Sequence, residues 1–166
     1  MNFLLTKMNT LAVIDDTIMQ INKSILVLFL TMTATSLAAQ ELARKANDFL
    51  ATLSPEIKSQ TLFPLKGDER FNMNFVPLER KGPTFRDFND QQKAAALALL
   101  RASISDQGFQ KANDIMELEK VLIIVEKQAP ESRRRDPLNY HFCIFGTPAD
   151  GQPWGWRFEG HHISLN

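Results

Sequence analysis

The sequence predicts an α+β unit behind an export signal, and three observations carry that reading. Apolar residues recur at helical spacing from Gln40 to Leu53, and again through two segments between Asn89 and Lys127. From Asn139 onward the chain is instead rich in aromatic and β-branched residues around a turn-forming stretch, Gly146 to Pro153. Ahead of all of this stands a short apolar run with a cationic flank. The expected architecture is an N-terminal helix and a helical hairpin packed on a small antiparallel sheet that ends in a β-hairpin.

The apolar run spans Ser24 to Ala39, follows Lys23 and ends in small residues. Positive flank, greasy core and small-residue exit are the parts of a secretion signal. The run is shorter than the roughly twenty apolar residues a membrane-spanning helix needs, and threonines dilute its second half. Cleavage is expected after Ala38 or Ala39, which leaves no stable membrane anchor and places the mature chain in the periplasm or outside the cell. Asp15 and Asp16 sit where a leader wants positive charge, whereas Met19 opens an ordinary leader, so Met19 is the expected start. Residues 1–39 are thus read as signal and 40–166 as one α+β domain, the N-terminal portion of a longer one.

Within that domain, Leu42, Ala43, Ala46, Phe49, Leu50 and Leu53 form the stripe of the first helix, and Ser54-Pro55 closes it. A short apolar segment, Leu62 to Leu65, leads to a turn at Gly67-Asp68. Phe71 to Val76 alternates large apolar residues with asparagine and reads as a strand ended by Pro77. A charged loop, Glu79 to Pro83, contains Gly82. One helix then starts near Asn89 or Asp90, with Ala94, Leu97, Leu100 and Ile104 on one side. A second runs from about Phe109 to Lys127, with Ile115, Leu118, Leu122 and Val125 inward and Gly108 punctuating the pair. Arg133 to Arg135 lie in the next loop, where three arginines suit either a solvated turn or an anion.

Composition narrows the function classes. Lysine plus arginine and aspartate plus glutamate both number 19 in 166 residues, so no electrostatic case arises for a nucleic-acid partner. The single cysteine, Cys143, excludes an intrachain disulfide and the usual structural zinc patterns. Phosphate-cradling glycine loops and the G-x-S-x-G nucleophile turn are absent.

Chemistry concentrates in the tail, W-G-W-R-F-E-G-H-H-I-S-L-N from Trp154 to Asn166. Strand alternation puts Trp154, Trp156, Phe158, Gly160, His162 and Ser164 on one face, and Arg157, Glu159, His161, Ile163 and Leu165 on the other. Glu159, His161 and Arg157 are the candidate catalytic groups, and His161, His162 and Glu159 the candidate ligands of a divalent transition metal. Trp154, Trp156 and Tyr140 are candidates to contact a small-molecule or polymer substrate. In a simple hairpin register Tyr140 falls opposite Glu159 and Phe142 opposite Arg157, which sends His141 and Cys143 to the tryptophan face. The competing readings are a metal-dependent enzyme, a non-catalytic binding module built on the Trp/Arg face, and a string that only locks the hairpin.

These same residues carry a resemblance. Arg135 to Pro137, Tyr140, the F-G-x-P at Phe145 to Pro148 and the tail string resemble a bacterial family, domain of unknown function 3500. Glu69 to Pro77 as E-R-x-N-x-x-F-x-P, Arg80 with Gly82, Gln92 and the helical hairpin fit it too. Met73 departs from the pattern, where a tryptophan is usual. The resemblance implies no reaction; it implies a longer chain with a further H-x-H element, which reading the gene past Asn166 would reveal. For the leader, mass spectrometry of protein recovered from the periplasm or medium is expected to find Ala39 or Gln40 as the first residue; an intact Met1 or Met19 terminus there would refute the cleavable signal.

Overall fold

A computed structural model describes residues 19, 20, 23, 27, 28, 37–76, 78–129 and 134–166. The chain divides into two units, Met1–Ala39 and Gln40–Asn166. In the first unit the described residues are helical, and most of the expected signal core, like Arg133, lies outside the described residues. No helix among the described residues is long and apolar enough to cross a membrane.

The second unit begins with helix α1, residues 40–52, which buries Ala43, Ala46, Phe49 and Leu50, with Leu53 just beyond. Ser54 does more than end it. Its hydroxyl accepts from the Ile57 amide and caps a further helix, α2, Pro55–Thr61, with proline at the favoured first position. Helix α3, Asp90–Ser103, is closed at its start by a reciprocal capping box between Asn89 and Gln92. Gln92 also donates to the Thr52 carbonyl at 3.0 Å, so one side chain joins the start of α3 to the end of α1. Helix α4, Asp106–Val125, starts three residues earlier than its sequence suggests, because Ser105 caps it by accepting from the Gly108 amide. Gly108 therefore sits inside the first turn and does not separate the helices.

The inward stripes also shift. On α3 the buried residues are Gln92, Ala96, Leu99 and Leu100, with Ala94 exposed and Leu97 and Ile104 only partly covered. On α4 they are Ala112, Met116 and Glu119; Leu118 and Val125, expected inside, are exposed. Both α4 faces carry apolar residues toward its C-terminus, so periodicity alone does not choose between them. The expected strand at Phe71–Val76 is absent for a physical reason given below.

Four strands form one sheet in the order β1-β2-β3-β4: Leu62–Phe63, His141–Phe145, Gly155–Gly160 and Ile163–Leu165. The first pair is parallel and the other two antiparallel, so the sheet is mixed where an antiparallel one was expected. The fold class is α+β, and the C-terminal hairpin is present. Its register is one residue away from the simple one: His141 faces Glu159, Phe142 faces Phe158 and Cys143 faces Arg157. A slip of one exchanges the faces. What selects this register is the core, where Phe142 and Phe158 meet at 4.8 Å between ring centroids and both contact Phe85. Phe49 and Phe88 complete the aromatic cluster on the helix-covered side.

After Gly160 the chain makes a two-residue turn, His161–His162, and reverses. The alternation expected through Leu165 is thereby broken. Ile163 and Leu165 now lie on the Phe158 side, and Ser164 lies opposite Glu159.

The other face of the sheet carries a strap, residues 68–76 and 78–82, that opens with a single 3-10 turn, Asp68–Phe71. Two glycines make the close packing feasible. Gly82 has φ +92, and a Cβ there would fall 2.4 Å from the Phe142 carbonyl oxygen. A Cβ on Gly160 would fall 2.2 Å from the Tyr140 ring. Gly160→Ala is expected to destabilise the unit by about 3 kcal/mol or more through overpacking, with an unchanged urea m-value; a loss under about 1 kcal/mol would mean that Tyr140 moves aside freely.

Candidate functional site

Sequence alternation places Arg157 and Glu159 on one face, and the structure keeps them there, on the strap side and almost wholly buried at 1% exposure each. Their charges are absorbed locally. Arg157 donates to the backbone carbonyls of Glu69 (2.9 Å) and Asn72 (2.6 Å) and to the Glu69 carboxylate (2.6 Å). Its Nε lies 3.0 Å from Glu159 Oε2 as an ion pair without hydrogen-bond alignment. Glu159 Oε1 accepts from Arg80 Nε at 3.1 Å and from the Asn74 amide. Arg80 in turn donates to the carbonyls of Leu78, Asn74, Val76 and Gly160. Arginine side chains thus satisfy the strap carbonyls that a strand neighbour would otherwise bond. That is why Phe71–Val76 lies flat on the sheet without joining its ladder.

Electrostatics follow this geometry. Burial works to raise the Glu69 carboxyl, but the bonds from Arg157 and Lys81 outweigh it and hold Glu69 below its ordinary value. Burial lowers the His141 imidazole, whose Nδ1 sits 2.9 Å from the Gly82 carbonyl. Burial also pushes the Cys143 thiol up to about 11, which leaves it a protonated, unreactive neighbour of Arg157.

His161 is not with Glu159. The turn carries it to α4, where its Nδ1 bonds the carboxylate of Glu119, itself 2% exposed. The other Glu119 oxygen has no hydrogen-bond partner among the described residues. Arg135 Nη1 stands 3.0 Å from His161 Nδ1 and 3.1 Å from Nε2. A point so near both nitrogens lies over the ring face, since in the ring plane it would overlap the carbon between them. The remaining guanidinium nitrogens of Arg135 grip Glu126 at 2.6 and 3.1 Å, and those bonds hold the Glu126 carboxyl below its usual range. Beneath the turn, buried Tyr140 donates to the His161 carbonyl at 3.1 Å and stacks on Phe158. Burial keeps its phenol well above the ordinary value, hence protonated. His162 is exposed, in the left-handed region at φ 59, with its ring 3.9 Å from that of His161.

The proposed ligand set, His161, His162 and Glu159, does not converge. Glu159 lies under the strap between two arginines, the His161 Nδ1 proton is taken by Glu119, and the two imidazole rings lie tilted at 34° to one another. Among the described residues no group of three His, Cys, Asp or Glu side chains is arranged to hold a metal ion. Trp154 and Trp156 are half-buried and pack against the core.

A family model described as protein of unknown function, DUF3500, matches residues 35–166. The chain belongs to this DUF3500 family. No curated protein and no solved structure matches it. Glu119 of this DUF3500 chain is absent from the sequence-predicted site, and Arg80 enters the sequence reading only through the family resemblance. Glu119 had one legible signal: with Ala112 and Met116 it falls on a single helical stripe, and a carboxylate among core positions requires a partner.

The buried network makes stability acid-sensitive in two steps. The His141 pKa is lower folded than unfolded, so its contribution is present above the unfolded value of about 6.5 and is lost as pH falls from there through the lower folded value. Glu69 is depressed, so its contribution is present above an unfolded value of about 4.3 and is lost as pH falls further, through the folded value. Urea titrations from pH 8 to pH 3 are expected to show both losses, with His141→Asn removing the upper and Glu69→Gln reducing the lower, to which the depressed Glu126 carboxyl also contributes. Arg157→Met should cost about 3–5 kcal/mol at pH 7, because Glu159 would be left with a buried, half-compensated charge. A pH-independent midpoint in the parent protein would refute this account.

Proposed function

We propose that this DUF3500 domain is an exported enzyme that performs general acid–base chemistry with His161, held and polarised by Glu119. The observation that carries the reading is the buried Glu119 carboxylate on His161 Nδ1. A carboxylate there selects the tautomer with the proton on Nδ1, leaves Nε2 as a base, and stabilises the imidazolium formed when Nε2 takes a proton. The ring has no in-plane partner for Nε2 among the described residues, since Arg135 lies over its face. Tyr140 and Gly160 support the turn that orients it.

The same geometry favours proton transfer over a metal-centred reaction, because Glu159 is bound to arginines and His161 to Glu119. The Cys143 thiol, buried and protonated, is not an activated nucleophile. The reading is therefore of a base acting on water or on an acidic proton of the substrate. Residence outside the cytoplasm is supported by the Lys23-led apolar core and its small-residue exit.

The test is a panel of chromogenic carboxylic esters, phosphomonoesters and glycosides, assayed with the parent protein and with His161→Ala and Glu119→Gln. One class should be turned over by the parent. His161→Ala should lower kcat about 10²–10⁴-fold and Glu119→Gln by a smaller factor, both with unchanged circular dichroism. Nitrogen-15 spectra of the imidazoles should show the Nδ1–H tautomer at His161 in the parent and a mixture in Glu119→Gln. Undiminished turnover in His161→Ala, or the opposite tautomer in the parent, would sink the proposal.

A further inference from the structure

Two charged side chains converge on the His161 ring, and the acid–base reading assigns a role to only one of them. Glu119 takes the edge of the ring, and Arg135 takes its face, with Nη1 at 3.0 and 3.1 Å from the two ring nitrogens. Arg135 is not a passing surface cation. Its side chain is 11% exposed, and its Nε and Nη2 are fixed on the two Glu126 oxygens, which leaves Nη1 aimed at the imidazole. The chain just beyond is anchored as well: Asp136 is buried, pairs with Arg86, and accepts from the Leu138 amide at 2.9 Å. Glu126 stands at the C-terminal cap of α4, whose last turn holds no basic residue. A helix end of that polarity disfavours a carboxylate, and the cation that Glu126 holds offsets the penalty.

A buried carboxylate at Nδ1, its second oxygen without a hydrogen-bond partner among the described residues, favours a second proton on the ring and so an imidazolium whose Nε2 is already occupied. A base needs the opposite. A cation against the ring face opposes that second proton, and a guanidinium keeps its own charge throughout the working range. We propose that Arg135, anchored on Glu126, is a positioning residue that holds the His161 imidazole neutral beside Glu119; the freedom of Nε2 to take a proton, which this provides, rests on the acid–base reading above. The other charged or titratable neighbours act less directly. His162 stacks on the ring but is exposed to water, and Tyr140 is a neutral phenol bonded to the His161 carbonyl. Arg80 reaches as far as the Gly160 carbonyl, and Arg134 acts on Glu126 from an exposed position.

Charge and turnover can be read separately. Nitrogen-15 imidazole shifts of the full chain at pH 7.5 give the ratio of imidazolium to neutral ring at His161 without any substrate. The parent ring should be mostly neutral, and Arg135→Gln should raise that ratio at least about tenfold, the effect of one contact charge removed. Arg135→Lys, which keeps a cation without the two-point grip on Glu126, should fall between them. In the parent, a nuclear Overhauser contact between the Arg135 side chain and His161 Hε1 is expected, which checks the stacking without any variant. On a substrate class found by the panel above, Arg135→Gln should lose turnover at pH 7 and regain it at higher pH, whereas an arginine that only pins the loop to α4 would give a loss independent of pH. A parent ring already charged at pH 7.5, an unchanged ratio in folded Arg135→Gln, a lysine variant no nearer the parent than the glutamine one, or no Overhauser contact would each overturn the proposal. A parent inactive on the whole panel would count against the acid–base reading and leave the charge ratio measurable.

Discussion

The architecture of the C-terminal half depends on one buried ion arrangement, Arg157 and Arg80 around Glu159. Burying charges is costly, and an ion pair in a protein interior offsets that cost only when nearly every remaining donor and acceptor finds a partner. Here the partners are the carbonyls of the strap and the carboxylate of Glu69. The network is therefore also a backbone-satisfying device. It lets an irregular segment cover one face of a sheet, a task usually given to a helix or a second sheet. The density of catalytic residue types at Arg157 and Glu159, which drew attention in the sequence, is largely explained by this structural work.

Once that face is sealed, the chemistry available to the turn changes. The reversal at His161–His162 takes the first imidazole off the Glu159 face and delivers it to α4. There Glu119 occupies a core position of the helix and would be a buried, unpaired carboxylate without a donor. The pairing is thus required from both ends: the turn needs an anchor, and the helix needs a partner for its carboxylate. Tyr140, packed against the bare backbone of Gly160, holds the turn from below. Of the residues in the tail, His161 alone is both firmly oriented and near solvent through its neighbour His162, which is why the functional reading rests on it and not on the whole string.

How much of this was legible in the sequence varies by element. The first helix, the start of α3 and the final hairpin were readable because each has a local signature: a helical stripe, an Asn-Asp pair ahead of apolar residues at helical spacing, a turn between β-rich runs. The misreadings share a cause. The strand assigned to Phe71–Val76 has the right alternation, but the side chains of nearby Arg80 and of Arg157, remote in sequence, bond its carbonyls in place of ladder partners. Leu118 and Val125 fit a helical stripe as well as Met116 does, and only the packing of α4 against the sheet chose between them. The hairpin register differed by one residue because Phe142 and Phe158 had to meet in the core, a requirement that no feature of the loop announces.

The sequence by itself determined the class of the fold, the first helix, the start of α3, the presence of the final hairpin and the family of the chain. These follow from interactions within a few residues along the chain, where spacing and side-chain type are sufficient. Only the tertiary structure decided which charges are structural and which remain available for chemistry. Glu159 and His161 are two positions apart in the chain, yet one lies beneath a strap 79 residues upstream at Arg80 and the other meets Glu119, 42 residues upstream. The physical reason is that a buried charge is governed by whatever partner reaches it through space, and that partner's identity is a property of packing, not of local sequence.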